Sequence, residues 1–212
     1  MSGFGIFREV ISSESELRDL YGEPSRLVQN KAISQIDDHV RSYIAQAPFL
    51  ILATADENGN CDASPRGDAP GFVHIIDDHH LVIPERPGNK RMDSITNILS
   101  NPQVGLIFLI PTLEETLRIN GRACVIRDVE LLEKMAVKGR VPALGIGVHV
   151  EECFIHCAKA FMRSGMWKPE TWPEEGTIPN AAQILADHVK LPDVTVKSVA
   201  EGLQESYTKR LY

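Results

Sequence analysis

The chain has 212 residues, a formal net charge of −7 at pH 7 and 43% hydrophobic residues. This length suits one domain or two small ones, and the hydrophobic content is ordinary for a globular protein. The acidic balance argues against a general nucleic-acid-binding protein, although it allows a local site for an anion. No apolar run approaches the roughly 20 residues that a membrane-spanning helix needs. We therefore expect neither nucleic acid nor a membrane as a partner.

The N-terminal segment and the cysteines predict a cytoplasmic protein. The first residues lack the cationic stretch and apolar core of a secretory signal. The cysteines are few and widely spaced, so we expect reduced thiols rather than a disulfide framework. The four are Cys61, Cys124, Cys153 and Cys157.

Residues 1–48 are predicted to form a helical segment that packs on the domain that follows. Ser13 and Glu16 have the spacing of a helix capping box, and Gly22 with Pro24 would end that first helix. A second helix is indicated by apolar residues at helical spacing, namely Ile33, Ile36, Val40 and Ile44.

The middle of the chain predicts antiparallel strands. Asn58-Gly59 and Asp77-Asp78 lie where hairpin turns would fall. We expect bulges at Gly121 and near Glu151-Glu152, and a strand buried on both faces at Val104–Ile110. The other predicted strands are Phe49–Thr54, Phe72–Ile76, Leu81–Ile83, Thr116–Ile126 and Val148–Cys157. At least six strands with flanking helices give an α+β fold, and closure into a small barrel would remove exposed edges.

Four more helices are predicted beside these strands. One begins near Asp93, whose side chain can cap it, and ends at Asn101-Pro102. Another spans Asp128–Gly139. The last two, Ala181–Val189 and Val196–Lys209, belong to a C-terminal helical extension covering 173–212. We expect one compact domain overall.

Basic residues are concentrated at the connections of the first strands, which is unexpected in an acidic protein. Arg66 follows Ser64-Pro65, while Arg86, Lys90 and Arg91 precede the helix that starts near Asp93. A helix N-terminus favours an anion, and Arg and Lys bind phosphate oxygens. The cluster therefore indicates a phosphate site. The alternative is a solvated basic turn balanced by Asp68, Glu85 and Asp93.

No motif for nucleophilic or metal chemistry is present. The chain lacks a Gly-x-Ser-x-Gly elbow, and the glycines at 145 and 147 lack the rest of a dinucleotide-binding fingerprint. His149, Cys153, His156 and Cys157 are close in sequence, but their spacing matches no zinc signature, and strand residues of opposite parity face opposite sides. We expect no metal site, and the catalytic residues are unknown.

Four segments together resemble the pyridoxamine 5'-phosphate oxidase-like flavoproteins. They are SPRGD, IPERPGNKRMDSITNILSNPQVGLIFLIP, ETLRINGRA and FIHCAKAFMRSGMW. The resemblance runs from about Phe49 to Trp172. It implies an FMN-binding split β-barrel over 49–172 and a homodimer with FMN at the interface. The residues that it assigns to the cofactor are Ser64, Arg66, Arg86, Asn89, Lys90, Arg91, Thr116, Ser164 and Trp167.

The resemblance also implies hydride transfer through the flavin. The family's vitamin-phosphate motif is not matched by the C-terminal ESYTKRLY, so we expect an FMN-dependent oxidoreductase of unassigned substrate. Two alternatives stay open. The same barrel could carry flavin or haem without turnover, or it could be a deazaflavin-dependent reductase. The candidate haem ligands are His74, His79, His80, His149 and His156.

Overall fold

The computed structural model describes residues 5–212, which form two compact units. The first unit ends at Ala32 and contains helices α1 (Glu14–Tyr21) and α2 (Arg26–Gln29). The hydroxyl oxygen of Ser13 accepts a hydrogen bond from the backbone N–H of Glu16 at 3.2 Å, as expected for the predicted cap of α1. The division of the chain at residues 48 and 172 stays a prediction.

The second unit, Ile33–Tyr212, is an antiparallel sheet with flanking helices, and it confirms the predicted α+β split barrel. Its seven strands are β1 (Phe49–Ala55), β2 (Cys61–Gly67), β3 (His74–Ile75), β4 (His80–Pro84), β5 (Gln103–Leu109), β6 (Thr116–Ile126) and β7 (Gly145–His156). The strand order is β2-β1-β5-β6-β7-β4-β3. Its helices are α3 (Asp38–Gln46), α4 (Asp93–Ser100), α5 (Val129–Glu133), α6 (Lys159–Ser164), α7 (Ala181–Val189) and α8 (Val196–Lys209), with a 3₁₀ turn at Pro169–Thr171.

One face of the sheet forms the core because alternate residues of each strand point to it. The largest fully buried side chain is Phe108 of β5. Helices α3 and α4 cover this core with short apolar faces. The hydroxyl of Tyr43 in α3 donates to the backbone oxygen of Glu115 at 2.9 Å, which satisfies a buried polar group. No helix of residues 5–212 is both long and apolar enough to cross a bilayer.

The predicted bulges in β6 and β7 are confirmed as one feature. Asn120 pairs with Glu152 and Gly121 pairs with Val150, so Glu151 is the extra residue. A Cβ atom at Gly121 would overlap the backbone oxygen of His149. This close approach of two backbones explains why glycine is needed at the bulge.

The second helix begins later than its apolar spacing predicts. Asp37 caps α3, and its carboxylate accepts from the N–H of Val40 at 2.8 Å. Ile33 lies outside the helix and pairs with Cys153 through two backbone hydrogen bonds of 3.0 and 2.7 Å. Ile33 fits the helical spacing, yet it forms a strand-like contact, because the backbone N–H and oxygen of Cys153 in β7 pair with it.

Three other elements differ from their predictions. The strand expected at Phe72–Ile76 is limited to the two residues of β3, and the helix expected over 128–139 ends at Glu133. A tight turn closed by mutual bonds between Val137 and Arg140 replaces the rest of that helix. Strand β5 is buried on one face only, since Ile107 is 38% exposed. Helices α7 and α8 have the predicted bounds.

Candidate functional site

A cavity of about 740 Å³ lies where β2, the connection from β4 to α4 and the segment before β7 meet. This volume is within the usual range for small-molecule sites. Six predicted cofactor-binding residues line it, namely Ser64, Arg66, Arg86, Asn89, Lys90 and Arg91. Two widely separated stretches of chain therefore contribute to one site.

A buried carboxylate fixes one of the cavity's arginines. The side chain of Asp68 is only 2% exposed, and it accepts from Arg86 Nε at 2.7 Å and from the hydroxyl of Tyr212 at 2.8 Å. Burial alone would raise the pKa of Asp68. Hydrogen bonds from the N–H of Ala69 and from Tyr212, with the charge of Arg86, hold that pKa below its ordinary value. Arg86 is thus held in place by the protein itself.

A second ion pair in the cavity is incompletely satisfied. Arg66 Nε lies 3.2 Å from Glu85 Oε2, and both side chains are largely buried. The angles do not make a hydrogen bond, so these two atoms are the buried side-chain N or O atoms without a hydrogen-bond partner among residues 5–212. Burial raises the pKa of Glu85, and the charge of Arg66 opposes that shift. Arg66 lines the cavity, so its terminal guanidinium N–H groups, rather than Nε, are the donors that could meet a ligand oxygen.

The turn before α4 presents the remaining cations. Lys90 and Met92 have positive φ angles of 64° and 60°, and the N–H of Arg91 donates to Asn89 Oδ1 at 3.0 Å. Asp93 does not cap α4, contrary to its predicted role. Met92 occupies the cap position without a side-chain bond, because Asp93 instead accepts from Arg91 Nε at 2.7 Å. The start of α4 is thus left without a side-chain cap.

Ser64 and Ser94 are joined through Asp62. The carboxylate of Asp62 accepts from Ser64 Oγ at 2.9 Å and from Ser94 Oγ at 2.6 Å. Ser94 is buried and lines the cavity. This network connects β2 to the first turn of α4, which fixes the two walls of the cavity relative to each other.

Arg140 and Tyr212 also line the cavity, and the sequence analysis did not identify them. Arg140 donates to the backbone oxygen of Tyr212, while Lys138 Nζ lies 4.9 Å from the centre of the tyrosine ring. Neither residue is near the basic cluster in sequence. Only their three-dimensional proximity reveals a role, so no local signal could have identified them.

The other three predicted cofactor-binding residues lie outside this cavity. Thr116 is buried at the start of β6, opposite His156. Ser164 Oγ donates to the backbone oxygen of Phe161 at 3.0 Å. Trp167 stacks on Phe161 with ring centres 5.6 Å apart, and its indole N–H donates to a backbone oxygen at 3.0 Å. The cavity of one chain is therefore lined by six of the nine predicted cofactor-binding residues, and these three are not among them.

Comparisons with known proteins give both family and structural matches. A Lactobacillus delbrueckii protein described as a candidate pyridoxamine 5'-phosphate oxidase is 21% identical, over 58% of this chain and 98% of that chain, with a TM-score of 0.47. An FMN-binding protein from Syntrophomonas wolfei is 12% identical, over 55% and 83%, with a TM-score of 0.45. The haem storage protein HutZ from Vibrio cholerae is 18% identical, over 57% and 94%, with a TM-score of 0.42.

No curated protein matches the sequence. The family model described as pyridoxamine 5'-phosphate oxidase matches residues 36–157, which is more than half of the chain. These residues include β1 to β7 and all five Lys and Arg residues that line the cavity. The chain therefore belongs to the pyridoxamine 5'-phosphate oxidase-like family.

Proposed function

We propose that this protein binds FMN and acts as an oxidoreductase on a substrate that is not yet assigned. The observation that carries the proposal is the convergence of six predicted cofactor-binding residues on one cavity of about 740 Å³. Family membership supports a flavin as the occupant. The proposal treats Lys90, Arg91 and Arg66 as the phosphate-binding side chains.

The cavity residues fit a phosphate group. Lys90 and Arg91 precede α4, whose first N–H groups carry no side-chain cap and whose dipole favours an anion. Arg66 lines the same cavity and carries further guanidinium N–H groups besides its buried Nε. Such groups can donate to a phosphate oxygen, and charge-assisted hydrogen bonds are stronger than neutral ones.

The side chains of this protein would bind and orient the cofactor rather than react. The flavin ring, when bound, supplies the hydride-transfer chemistry. Arg86 is held by Asp68 and Tyr212, so it presents a fixed positive charge at the cavity wall. The hydroxyls of Ser64 and Ser94 both donate to the carboxylate of Asp62, and this limits movement of the two cavity walls relative to each other.

A homodimer would complete the site. Thr116, Ser164 and Trp167 lie outside the cavity of their own chain. In a homodimer, the same residues of the second copy would have to complete the part of the site that holds the flavin ring. Phe49 and Ile107 are each 38% exposed on the uncovered face of adjacent strands, and Met166 is 53% exposed near Trp167. Exposed apolar area of this kind is typical of interaction surfaces. We propose that these residues contact the partner chain.

The deciding experiment is titration of the apoprotein with FMN, monitored by absorption and calorimetry. Replacing Lys90 and Arg91 together by Ala should weaken binding by more than about 100-fold, since two hydrogen bonds to a charged group contribute about 1.5–3 kcal/mol each. Lys197 and Lys209 of α8 lie outside the cavity, so their double Ala variant is the matched control. Unchanged FMN affinity in K90A/R91A would refute the proposed phosphate site.

The absorption spectrum of the purified protein separates the alternatives. Flavin gives bands in the blue and near-ultraviolet, whereas a dominant Soret band would indicate haem and would refute the flavin proposal. Mass identification of the released molecule distinguishes FMN from a deazaflavin. Light scattering of the FMN-loaded protein tests the dimer, and a fully loaded monomer would refute it.

A further inference from the structure

Three imidazoles converge on the edge of the sheet where β4 begins, away from the cavity. His80 of β4 and His149 of β7 are directly paired across the two antiparallel strands. His80 Nε2 lies 3.2 Å from His149 Nδ1, and the two ring centres are 4.9 Å apart. The ring of His79 is 6.2 Å from that of His149. All three residues are exposed to solvent.

Hydrogen bonds fix the tautomers of two of these rings. The Nδ1 of His80 lies 2.9 Å from an oxygen of Asp77, which also accepts from the backbone N–H groups of His79 and His80. The Nδ1 of His79 lies 3.2 Å from the backbone oxygen of Ser34. In the neutral form of each ring, these contacts place the proton on Nδ1 and the lone pair on Nε2. Without an ion, Nε2 of His80 can then accept a hydrogen bond from Nδ1 of His149, and a metal ion would replace that proton.

This arrangement has the chemistry of a transition-metal site. Imidazoles that bind a metal usually donate their other N–H to a carboxylate or a backbone oxygen. Two nitrogens bound tetrahedrally at about 2.0–2.1 Å from one ion are about 3.3–3.4 Å apart. The observed separation of 3.2 Å between His80 Nε2 and His149 Nδ1 is close to that value.

Contrary to the expectation from sequence that no metal site is present, we propose that His80 and His149, which only the pairing of β4 with β7 brings together, bind a divalent transition-metal ion of the kind that imidazole prefers, such as Zn²⁺ or Cu²⁺. Among residues 5–212, no three His, Cys, Asp or Glu side chains are grouped so that they could hold a metal ion. Water molecules therefore complete the coordination, and His79 is the nearest further imidazole. The site is independent of the proposed flavin function, because none of these residues lines the cavity.

The test is calorimetric titration of the untagged protein with zinc chloride, done with and without FMN. Wild type should show one saturable site per chain under both conditions. Replacing His80 or His149 by Ala should each weaken binding at least tenfold, while the exposed His188 of α7 can be replaced by Ala without effect. Asp77→Asn keeps an acceptor for the turn but removes the charge behind His80, and we expect a roughly tenfold weaker site.

Electron paramagnetic resonance of the Cu²⁺-loaded protein gives a second, independent readout. Wild type should show coupling to two imidazole nitrogens, and the Gln variants of His80 and His149, which keep a polar side chain, should lose it. The proposal is overturned if wild type shows no saturable binding even at about 1 mM zinc. It is equally overturned if either single Ala variant binds like wild type, or if the His188 variant loses binding to the same extent.

Discussion

Removal of the Asp68 carboxylate should strongly destabilise the second unit. Asp68 accepts from Arg86 Nε, the hydroxyl of Tyr212 and the N–H of Ala69, at 2.7 to 2.8 Å. Three hydrogen bonds to a charged group would contribute about 4.5–9 kcal/mol if they were additive. They are not additive, and Arg86 keeps 16% of its side-chain surface exposed. Breaking a buried ion pair costs about 3–5 kcal/mol, so we expect about 3 kcal/mol for Asp68→Ala.

Urea unfolding followed by circular dichroism measures this loss. Asp68→Asn preserves the volume and should cost less, whereas the exposed Asp193 can be replaced by Ala within about 0.5 kcal/mol. The pKa of Asp68 is lowered in the folded state, so its contribution is present above the unfolded pKa of about 3.9 and is lost as pH falls through the lower folded value. The difference between wild type and Asp68→Asn should therefore shrink on acidification. A loss below about 1 kcal/mol for Asp68→Ala, or a difference independent of pH, would refute this reasoning.

Three further outcomes are expected. Gly121→Ala should lower the free energy of unfolding by about 3 kcal/mol or more, because its Cβ would overlap the backbone oxygen of His149. Gly202→Ala, in open space on α8, should be neutral or slightly stabilising, and urea unfolding followed by circular dichroism measures both variants. Trp167→Ala should weaken both dimerisation and flavin retention, as measured by light scattering with a parallel flavin absorbance trace; an effect on only one would contradict a shared surface. Burial raises the pKa of Cys153 to about 11, so iodoacetamide at pH 8 should spare it and modify the three exposed cysteines, as mass spectrometry of the peptides would show.

The sheet was largely predictable because its signals are local. The apolar run at 49–54 and the Asn58-Gly59 turn identify β1 and the turn after it, and Gly121 marks the bulge in β6. Strand β2 was not predicted, because CDASPRG lacks the alternating apolar residues of a half-buried strand. The element boundaries that were predicted wrongly depend on competition between local hydrogen bonds and hydrogen bonds to residues that are distant in sequence. Ile33 fits a helical repeat, yet its backbone bonds to Cys153, and Asp37 provides a stronger helix start than the apolar spacing indicates.

The candidate site was predictable only in part, because half of its chemistry lies in distant pairs. The basic residues were visible as a cluster, and so were the balancing carboxylates Asp68, Glu85 and Asp93, but not which arginine each of them would meet. Arg86 is bonded to Asp68 and Arg66 faces Glu85, which makes the cavity less positive than the sequence indicates. The contact of Arg140 with Tyr212 joins residues that no motif connects.

The pairing of β4 with β7 has a consequence for how the protein folds. These neighbouring strands are separated in the chain by α4, β5, β6 and α5. The hairpins β1–β2 and β5–β6 can form from short loops, and β7 follows a longer connection that contains α5. Strand β4 must wait for β7, and such non-local pairing is slow. The same step brings His80 to His149 and closes the cavity wall before β7. A cofactor or ion that binds only after this step would draw late folding intermediates into the native state by mass action.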